Sequence, residues 1–289
     1  MHNFVMSFME DSALYLIDIN DSIDVDRVAT PDYCAGIRSI RALNEMLLFC
    51  CEYTDTLCCY NRYTKRYKLL CNTIGKAPYK LCPWNNYLVV LCKESDSIEL
   101  CSNNGCQSII FRRLGSVLTD ISIKNHMCFC TSLQDSKLYV LSLPLLEVIA
   151  VHSLPIKPFA LEFIKDDIYV LGIYESFYKI IKINKIGELS HILSFSQYPC
   201  CIYSKGNSIY ISCSFDDIIY KIQPGDTVHI KCIKLGFSPH LITFSNESSV
   251  LATVKSDRYK LIYTKNKKAV GYINTSLPSA WHISCLTNM

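Results

Sequence analysis

The 289-residue sequence contains little glycine, little proline and little charge. Ten glycines, ten prolines and a charged fraction of 19% argue against long flexible linkers and against a disordered chain. The formal net charge of +3 at pH 7 is too small for the concentrated basic face that nucleic-acid binding usually requires. We therefore expect a folded protein, and we do not expect nucleic acid to be its partner.

Long hydrophobic runs are also missing. Apolar segments such as Tyr87–Cys92 stop far short of the roughly 20 residues that a membrane-spanning helix needs. The first residues lack the basic segment and the uninterrupted apolar stretch of a secretion signal, because Glu10 and Asp11 fall where that stretch would have to continue. These absences predict a soluble, cytoplasmic protein that does not bind membranes.

Motifs for metals, phosphates and nucleophiles are absent as well. The 17 cysteines fall mostly in apolar segments such as MLLFCCEY and MCFCTS, and no quartet with zinc-ligand spacing occurs. Glycine-rich phosphate loops and a serine nucleophile elbow are missing. Because intracellular thiols stay reduced and a free cysteine behaves as a small buried hydrophobe, we expect core thiols, no metal site and no cofactor.

The sequence does contain a repeat. Starting from Ile37, equivalent marker residues recur at intervals of 41, 40, 40, 41, 40 and 41 residues, which is the signature of a repeat protein. The third residue after each marker is apolar in every unit. The seven markers are Ile37, Pro78, Leu118, Pro158, Pro199, Pro239 and Ala280.

Each repeat unit is predicted to form four short antiparallel β-strands. The marker strand is followed by an apolar segment such as IYISCSF, an acidic or serine-containing turn, a second apolar segment such as IIYKIQ, and a more polar one such as TVHIKCIKL. Apolar residues follow a period of two, and a helical period is absent. Four such strands in roughly 40 residues are typical of one blade of a β-propeller.

The two ends of the chain complement each other. Ala280 is followed by WHISCLTNM, enough for one strand, whereas Met1–Thr30 supplies segments for a second, third and fourth strand without a first. Joining them gives a last blade built from both ends and leaves no free sheet edge in the ring. We expect an all-β, seven-bladed propeller with four antiparallel strands per blade, formed by residues 1–289 as a single domain.

The layout of the repeat resembles that of YVTN-type seven-bladed β-propellers, whose architecture is close to that of NHL and WD40 propellers. The resemblance covers the full chain and is carried by a turn followed by an apolar strand, as in SDSIELCS (Ser95–Ser102) and FDDIIYKI (Phe215–Ile222). Some relatives of this architecture are lactonases and antibiotic lyases that use rim histidines and acidic residues. The resemblance therefore implies hydrolase or lyase activity as one function.

The residues just after the markers are the candidate binding residues. In a propeller the innermost strands surround a central channel, and ligands usually bind where the loops enter those strands. Because the seven positions carry different side chains, many of them aromatic, the ring suits an asymmetric protein partner or small ligand. The alternative is that Tyr79, Phe159 and Trp281 fill the space between blades, since successive side chains of a strand point to opposite faces. We expect ligand contacts from Arg38, Tyr79, Lys80, Phe159, Cys200 and Trp281.

A catalytic interpretation is the alternative. His240 and His282 follow the markers of neighbouring repeats, and Asp120 belongs to a repeat on the far side of the expected ring, so a ligand in the channel would lie between imidazoles and a carboxylate. The protein would then be a lyase, hydrolase or cyclase acting on a small molecule. Histidines are more often core or solvated rim residues, however, and Asp120 alone fits a turn. We prefer a non-catalytic recognition or assembly module and leave open whether the protein is an enzyme.

Two basic segments with tyrosines connect predicted third and fourth strands. They are NRYTKRYK (Asn61–Lys68) and YTKNKK (Tyr263–Lys268). Such segments can bind nucleic acid or an acidic protein surface. Because the total charge is near neutral, we interpret them as solvated turns.

Overall fold

Every regular element in the described residues is a β-strand, as the period of two predicts. No helix in this part of the chain could span a bilayer. For residue 23, and for the described residues after Thr243 other than Ala252, the backbone alone is described. The computed structural model describes residues 4–8, 11–19, 23–103, 108–213, 216–225, 228–235, 238–246, 249–254, 260–265, 268–274 and 280–285.

The chain divides into two compact units, so the expectation of one single domain stays a prediction. Unit 1 comprises Met1–Val151 and Leu277–Met289, and unit 2 comprises His152–Ser276.

The first fifteen strands are β1 (Phe4–Phe8), β2 (Ala13–Ile19), β3 (Ile23–Ala29), β4 (Ile37–Leu43), β5 (Met46–Cys51), β6 (Thr56–Asn61), β7 (Arg66–Asn72), β8 (Pro78–Trp84), β9 (Tyr87–Cys92), β10 (Ser97–Ser102), β11 (Ser108–Arg113), β12 (Leu118–Lys124), β13 (Met127–Ser132), β14 (Lys137–Ser142) and β15 (Val148–Ser153).

Thirteen further strands follow, and the last of them belongs to unit 1. They are β16 (Lys157–Ile164), β17 (Asp167–Tyr174), β18 (Phe177–Ile183), β19 (Leu189–Phe195), β20 (Pro199–Lys205), β21 (Ser208–Cys213), β22 (Ile218–Gln223), β23 (His229–Lys234), β24 (Pro239–Asn246), β25 (Ser249–Val254), β26 (Lys260–Lys265), β27 (Lys268–Asn274) and β28 (Ala280–Cys285).

Within the described residues these strands pair into seven four-stranded sheets. Six sheets are built from four consecutive strands: β4–β7, β8–β11 and β12–β15, and then β16–β19, β20–β23 and β24–β27. The remaining sheet belongs to unit 1 and has the order β28-β1-β2-β3. The protein is thus an all-β propeller with four antiparallel strands per blade, which confirms that part of the prediction.

One sheet joins strands from the two ends of the chain. Phe4 of β1 pairs with Cys285 of β28, and Phe8 pairs with Ala280. The side chains of β1 are all buried, and Val5 packs against residues of the β4–β7 sheet. The described strands from the two ends of the chain thus share one sheet, as the sequence predicts.

The second strand of each sheet is apolar on both faces when the sheet packs between two others. In β5, Leu47 and Phe49 join a buried cluster with β1 and β2, whereas Leu48 and Cys50 join a cluster with β8 and β9. This two-sided packing explains why such strands are continuous apolar runs and accept cysteine as a small core residue. Where side chains are described, most cysteines are buried and all are free, so the expectation of reduced thiols placed mostly in the core is confirmed for them.

Acidic turns between second and third strands fix the first strand of the next sheet. Asp55 and Asp96 adopt φ angles of 53° and 46°, in the left-handed region that aspartate tolerates better than most residues. The carboxylate of Asp55 accepts the backbone N–H of Ala77 at 2.8 Å, and that of Asp96 accepts the N–H of Leu118 at 3.1 Å. Each turn therefore positions the start of a neighbouring first strand, where the candidate binding residues lie.

Candidate ligand-binding rim

The first strand of each sheet begins at a sequence marker or one residue before it, as predicted. In unit 1 the first strands contact one another in the order β28, β4, β8 and β12, and in unit 2 in the order β16, β20 and β24. Each is an edge strand of its own sheet and lies against the first strand of a neighbouring sheet in the same unit. Such mutual contact is typical of the innermost strands of a propeller, and we call the starts of these strands the rim of their unit.

A β-bulge follows the marker in all of these first strands. At Tyr79, Thr119, Phe159 and Cys200 the register skips the residue after the marker, and it also skips Trp281. In the same region of β4 and β24, two residues of the first strand face one residue of the second strand. A bulge changes the direction in which the following side chains point. Simple alternation of side chains between the two faces of a strand therefore does not show which way these residues point.

In unit 1 two cationic groups lie over the ring of Tyr79. The guanidinium carbon of Arg38 is 5.0 Å from the ring centroid, and Nζ of Lys93 is 5.4 Å from it, both within cation–π range. Arg38 also donates a hydrogen bond to the carboxylate of Glu52 at 2.6 Å. Tyr79 is half-buried and packs against the core cluster shared with the β12–β15 sheet. The side chain thus fills space between sheets and also reaches the rim surface.

Next to Tyr79, the ammonium of Lys80 on β8 donates a hydrogen bond to the carboxylate of Asp120 on β12. The side chain of Asp120 is only 6% exposed and that of Lys80 is 22% exposed. Asp120 also accepts the backbone N–H of Ile121 at 2.8 Å. The interpretation of Asp120 as a turn residue is wrong, because the residue lies inside a strand and connects two sheets.

A buried thiol also contacts the rim of unit 1. Sγ of Cys50 donates a hydrogen bond to the backbone carbonyl of Arg38 at 3.5 Å. Burial raises the pKa of the Cys50 thiol because the apolar surroundings disfavour the thiolate. The Cys50 thiol is therefore a weaker nucleophile than an exposed thiol.

In unit 2, Phe159 belongs to an aromatic group with Tyr178 and Tyr198. The rings of Phe159 and Tyr198 stack with their centroids 5.8 Å apart, and Tyr178 meets both of them edge-on. Tyr198 is 49% exposed. The thiol of Cys200 donates a hydrogen bond to the carbonyl of Tyr198 at 3.6 Å. Two of the predicted rim residues, Phe159 and Cys200, therefore border an exposed aromatic face.

The predicted catalytic residues are only partly described. His240 is half-buried at the start of β24, and its backbone carbonyl accepts the hydroxyl of Ser212 at 2.8 Å. The side chains of Trp281 and His282 lie outside the described residues, so their roles stay predictions. Asp120 is held by Lys80 in unit 1.

A cleft of about 640 Å³ lies at the end of the β4–β7 sheet opposite the rim. It is lined by the turn that follows β4, and by Asn61 and Lys68, which bound the basic segment Asn61–Lys68. Within that segment Tyr63 is 64% exposed, as a solvated turn requires. The structure places the segment between the third and fourth strands, as predicted. The side chains of Tyr263–Lys268 lie outside the described residues.

Three cysteines converge in unit 1 although motif spacing gave no sign of a site. The Sγ atoms of Cys34, Cys51 and Cys58 lie within 4.8 Å of one another, and all three side chains are buried. Hydrogen bonds from the thiols of Cys34 and Cys51 lower the pKa of Cys58. The sequence signal that could have found two of them is the pair of CC dipeptides on either side of the turn between β5 and β6.

Solved structures share the fold over most or all of the chain. A protein from Lactobacillus plantarum has a TM-score of 0.77 at 12% identity, covering 99% of this chain and 100% of that one. A protein from Bacteroides fragilis NCTC 9343, provisionally assigned as a 6-phosphogluconolactonase, has a TM-score of 0.74 at 9% identity, with coverages of 99% and 98%. Virginiamycin B lyase from Staphylococcus aureus has a TM-score of 0.69 at 14% identity, with coverages of 92% and 88%. At such identities the likeness shows the fold alone.

No protein-family model and no curated protein sequence matches the chain. The membership in YVTN-type propellers that the repeat layout implies therefore stays a prediction.

Proposed function

We propose that this propeller is a recognition or assembly module that binds an acidic group of a protein or small-molecule partner at the rim of unit 1, without turnover. The observation that carries the proposal is the position of Arg38 and Lys93 over the ring of Tyr79. Lys93 is exposed and Tyr79 is half-buried. A cation and an aromatic surface are thus presented together at the start of a first strand.

The chemistry of these groups favours an anionic partner with an apolar body. A carboxylate or phosphate can pair with the ammonium of Lys93, and the adjoining apolar part of the partner can pack on Tyr79. Arg38 is oriented by its hydrogen bond to Glu52, and Asp55 holds the start of the strand that carries Tyr79. Little conformational entropy is therefore lost when a partner binds.

The ion pair between Lys80 and Asp120 supports binding over catalysis. A general base must be able to take a proton from a substrate, whereas the buried carboxylate of Asp120 is already engaged by an ammonium. In this proposal the pair maintains the spacing of two neighbouring first strands, so that it shapes the rim and does not react.

A fluorescein-labelled peptide of ten glutamates provides a probe for fluorescence anisotropy. We expect Lys93→Ala and Tyr79→Ala each to weaken binding by roughly threefold to tenfold, because each removes one contact of about 1 kcal/mol. Added salt should weaken binding by the wild-type protein, since the attraction is screened. Lys65→Ala, on the exposed turn after β6, is the matched control. Equal affinity of all four proteins would contradict the proposal.

We also propose that the seven sheets close into one ring, as in the YVTN-type propellers that the repeat layout resembles, and that the protein acts in the cytoplasm. The near-constant interval of 40 or 41 residues supports the ring, because equal blades repeat around one axis. A crystal structure of the full chain tests it. Seven blades around one channel would support the proposal, and any other number would contradict it.

A second candidate function is catalysis at the same rim by His240, His282 and Asp120. It is favoured by the likeness in fold to virginiamycin B lyase and to the provisionally assigned 6-phosphogluconolactonase. Incubation with virginiamycin B and with 6-phosphogluconolactone tests it. This candidate requires that the protein convert a compound faster than buffer alone. It also requires that His240→Ala or His282→Ala abolish that turnover without changing the circular dichroism spectrum. Absence of turnover with both compounds counts against these two reactions.

A further inference from the structure

We propose that Cys34, Cys51 and Cys58 form a binding site for one Cu(I) ion, held by three thiolates inside unit 1. The proposal does not depend on the proposed recognition function.

The three sulfur atoms are already close to the arrangement that a trigonal metal ion needs. Metal–thiolate bonds are about 2.3 Å long, so three sulfurs around one ion are separated by about 4 Å. The three Sγ atoms lie within 4.8 Å of one another. The separations between the sulfur atoms therefore have to shorten by less than about 1 Å to coordinate one ion. Rotation of the cysteine side chains can provide this change without rearranging the strands.

The backbone that carries the cysteines is held in place from two sides. Cys51 ends β5 opposite Thr56, and Cys58 lies on β6 opposite Phe49, so both are fixed by one hairpin. The hydroxyls of Thr54 and Thr56 donate hydrogen bonds to the carbonyl of Tyr33 at 3.0 and 2.8 Å. These bonds tie the loop that contains Cys34 to the hairpin.

The loop also closes on itself. The N–H of Cys34 donates to the carbonyl of Pro31 at 2.8 Å, and the hydroxyl of Thr30 donates to the carbonyl of Cys34 at 3.1 Å. A site whose ligands are fixed before the metal arrives loses little entropy on binding.

The ligand set favours Cu(I). Thiolates are soft ligands that select Cu(I), zinc or iron–sulfur clusters. Structural zinc sites use four ligands, but in the searched, described part of the chain no further Cys, His, Asp or Glu joins the three cysteines. The neighbouring core contains Ile37, Phe49 and Tyr60, which exclude water. A dry, all-sulfur site of three ligands suits a monovalent soft cation better than a hard or four-coordinate one.

The loop before β4 offers an entry path. Cys34 is buried, whereas its neighbours Asp32 and Tyr33 are exposed. Local opening of this short segment brings the sulfur atoms to solvent without unfolding the sheet. Binding replaces the thiol protons, which pass to the solvent as the three Cu–S bonds form.

Anaerobic titration of the full reduced chain with Cu(I), in competition with bicinchoninate, measures the stoichiometry. We expect one tightly held ion per chain. X-ray absorption should show three sulfur ligands at about 2.3 Å. Alkylation followed by mass spectrometry should show that copper protects Cys34, Cys51 and Cys58 in the wild-type protein. This last measurement uses no variant, so it is decisive even if a substituted protein does not fold.

Variants test the assignment residue by residue. Cys51→Ser and Cys58→Ser should each lower copper affinity at least tenfold, whereas Cys130→Ser, a buried cysteine of β13 outside the cluster, should retain it. Loss of copper to the competitor, protection of other cysteines, or equal retention by all variants would overturn the proposal. A disulfide among the three in the reduced protein, or tighter binding of Zn²⁺ with four ligands, would overturn it as well.

Discussion

Lys80 of β8 and Asp120 of β12 form an ion pair between the first strands of two neighbouring sheets. Two opposite charges in a nearly buried position stabilise each other, but removal of one leaves the other without compensation. Replacement of both by apolar residues of similar size is often tolerated, because the cost of removing charges from water disappears.

Asp120→Ala should therefore lower the free energy of unfolding by about 3 kcal/mol, measured by urea denaturation. The double variant Lys80→Met with Asp120→Leu should recover most of that loss. Lys65→Met, which changes an exposed lysine, is the control and should leave the midpoint unchanged. If Asp120→Ala unfolds at the same urea concentration as the wild-type protein, the pair does not hold the two sheets together.

The fully buried carboxylate of Glu99 accepts the backbone N–H groups of Ile74, at 3.1 Å, and of Gly75. These two residues connect β7 to β8, so Glu99 fixes the crossing from one sheet to the next. Glu99→Ala should destabilise the protein by about 2 to 4 kcal/mol, because two peptide N–H groups lose their partner.

Urea denaturation monitored by tryptophan fluorescence measures the effect of Glu99→Ala. Glu94→Ala, which removes an exposed carboxylate a few residues earlier, serves as the matched control and should change stability by less than about 0.5 kcal/mol. Equal effects of the two substitutions would show that the buried hydrogen bonds contribute nothing.

The turn residue Asp55 links two sheets through its backbone conformation and its carboxylate. Asp55→Ala removes the acceptor for the N–H of Ala77 and places alanine at a φ of 53°, so we expect a loss of about 2 kcal/mol. Asp55→Asn keeps an acceptor and a residue that tolerates this conformation, so its loss should be smaller. Thermal unfolding by circular dichroism ranks the two, and the reverse order would contradict the role assigned to the turn.

Acid should weaken the protein through Asp11. Hydrogen bonds from Arg27, one of them 2.8 Å long, lower the pKa of Asp11 below 3.8, and the hydroxyl of Tyr15 adds to the effect. Burial, together with the hydrogen bond to Asp11, raises the pKa of Tyr15 to about 12, so this hydroxyl remains a donor at neutral pH. A carboxyl group whose pKa is lower in the folded state than in the unfolded state stabilises the folded protein. This stabilisation is complete above the pKa of the unfolded state and is lost as the pH falls through the pKa of the folded state.

Urea midpoints at pH 7 and pH 3 measure this dependence. The wild-type protein should lose more stability between the two values than Asp11→Asn, which lacks the titrating group. Asp32→Asn, at an exposed position, should behave like the wild-type protein. An identical acid response of Asp11→Asn and the wild-type protein would exclude Asp11 as a source.

The strands and their grouping could be predicted because their signals are local and repeated. The period of two identifies each strand, and the interval of 40 or 41 residues aligns Pro78 with Pro199 without knowledge of any contact. The pairing of β28 with β1 followed because each end lacked what the other supplied. Because each repeat shows the same pattern, a wrong strand assignment in one repeat does not affect the assignment in the others.

The details of the rim could not be predicted, because they depend on neighbours that are distant in sequence. The bulge at Tyr79 and Phe159 breaks the alternation of faces on which a prediction of their orientation depends. The local sequence around Asp120 fits a turn, because its partner Lys80 lies 40 positions away. Cys34, Cys51 and Cys58 come from a loop and two strands, so their separations match no ligand motif.

The pairing of β28 with β1 has a consequence for folding during synthesis. During synthesis, Phe4–Phe8 has no partner on one flank until residues 280–285 have left the exit tunnel. Chaperones that shield nascent apolar segments would therefore be needed longest at Phe4–Phe8, and a stalled ribosome would release a product with that segment uncovered.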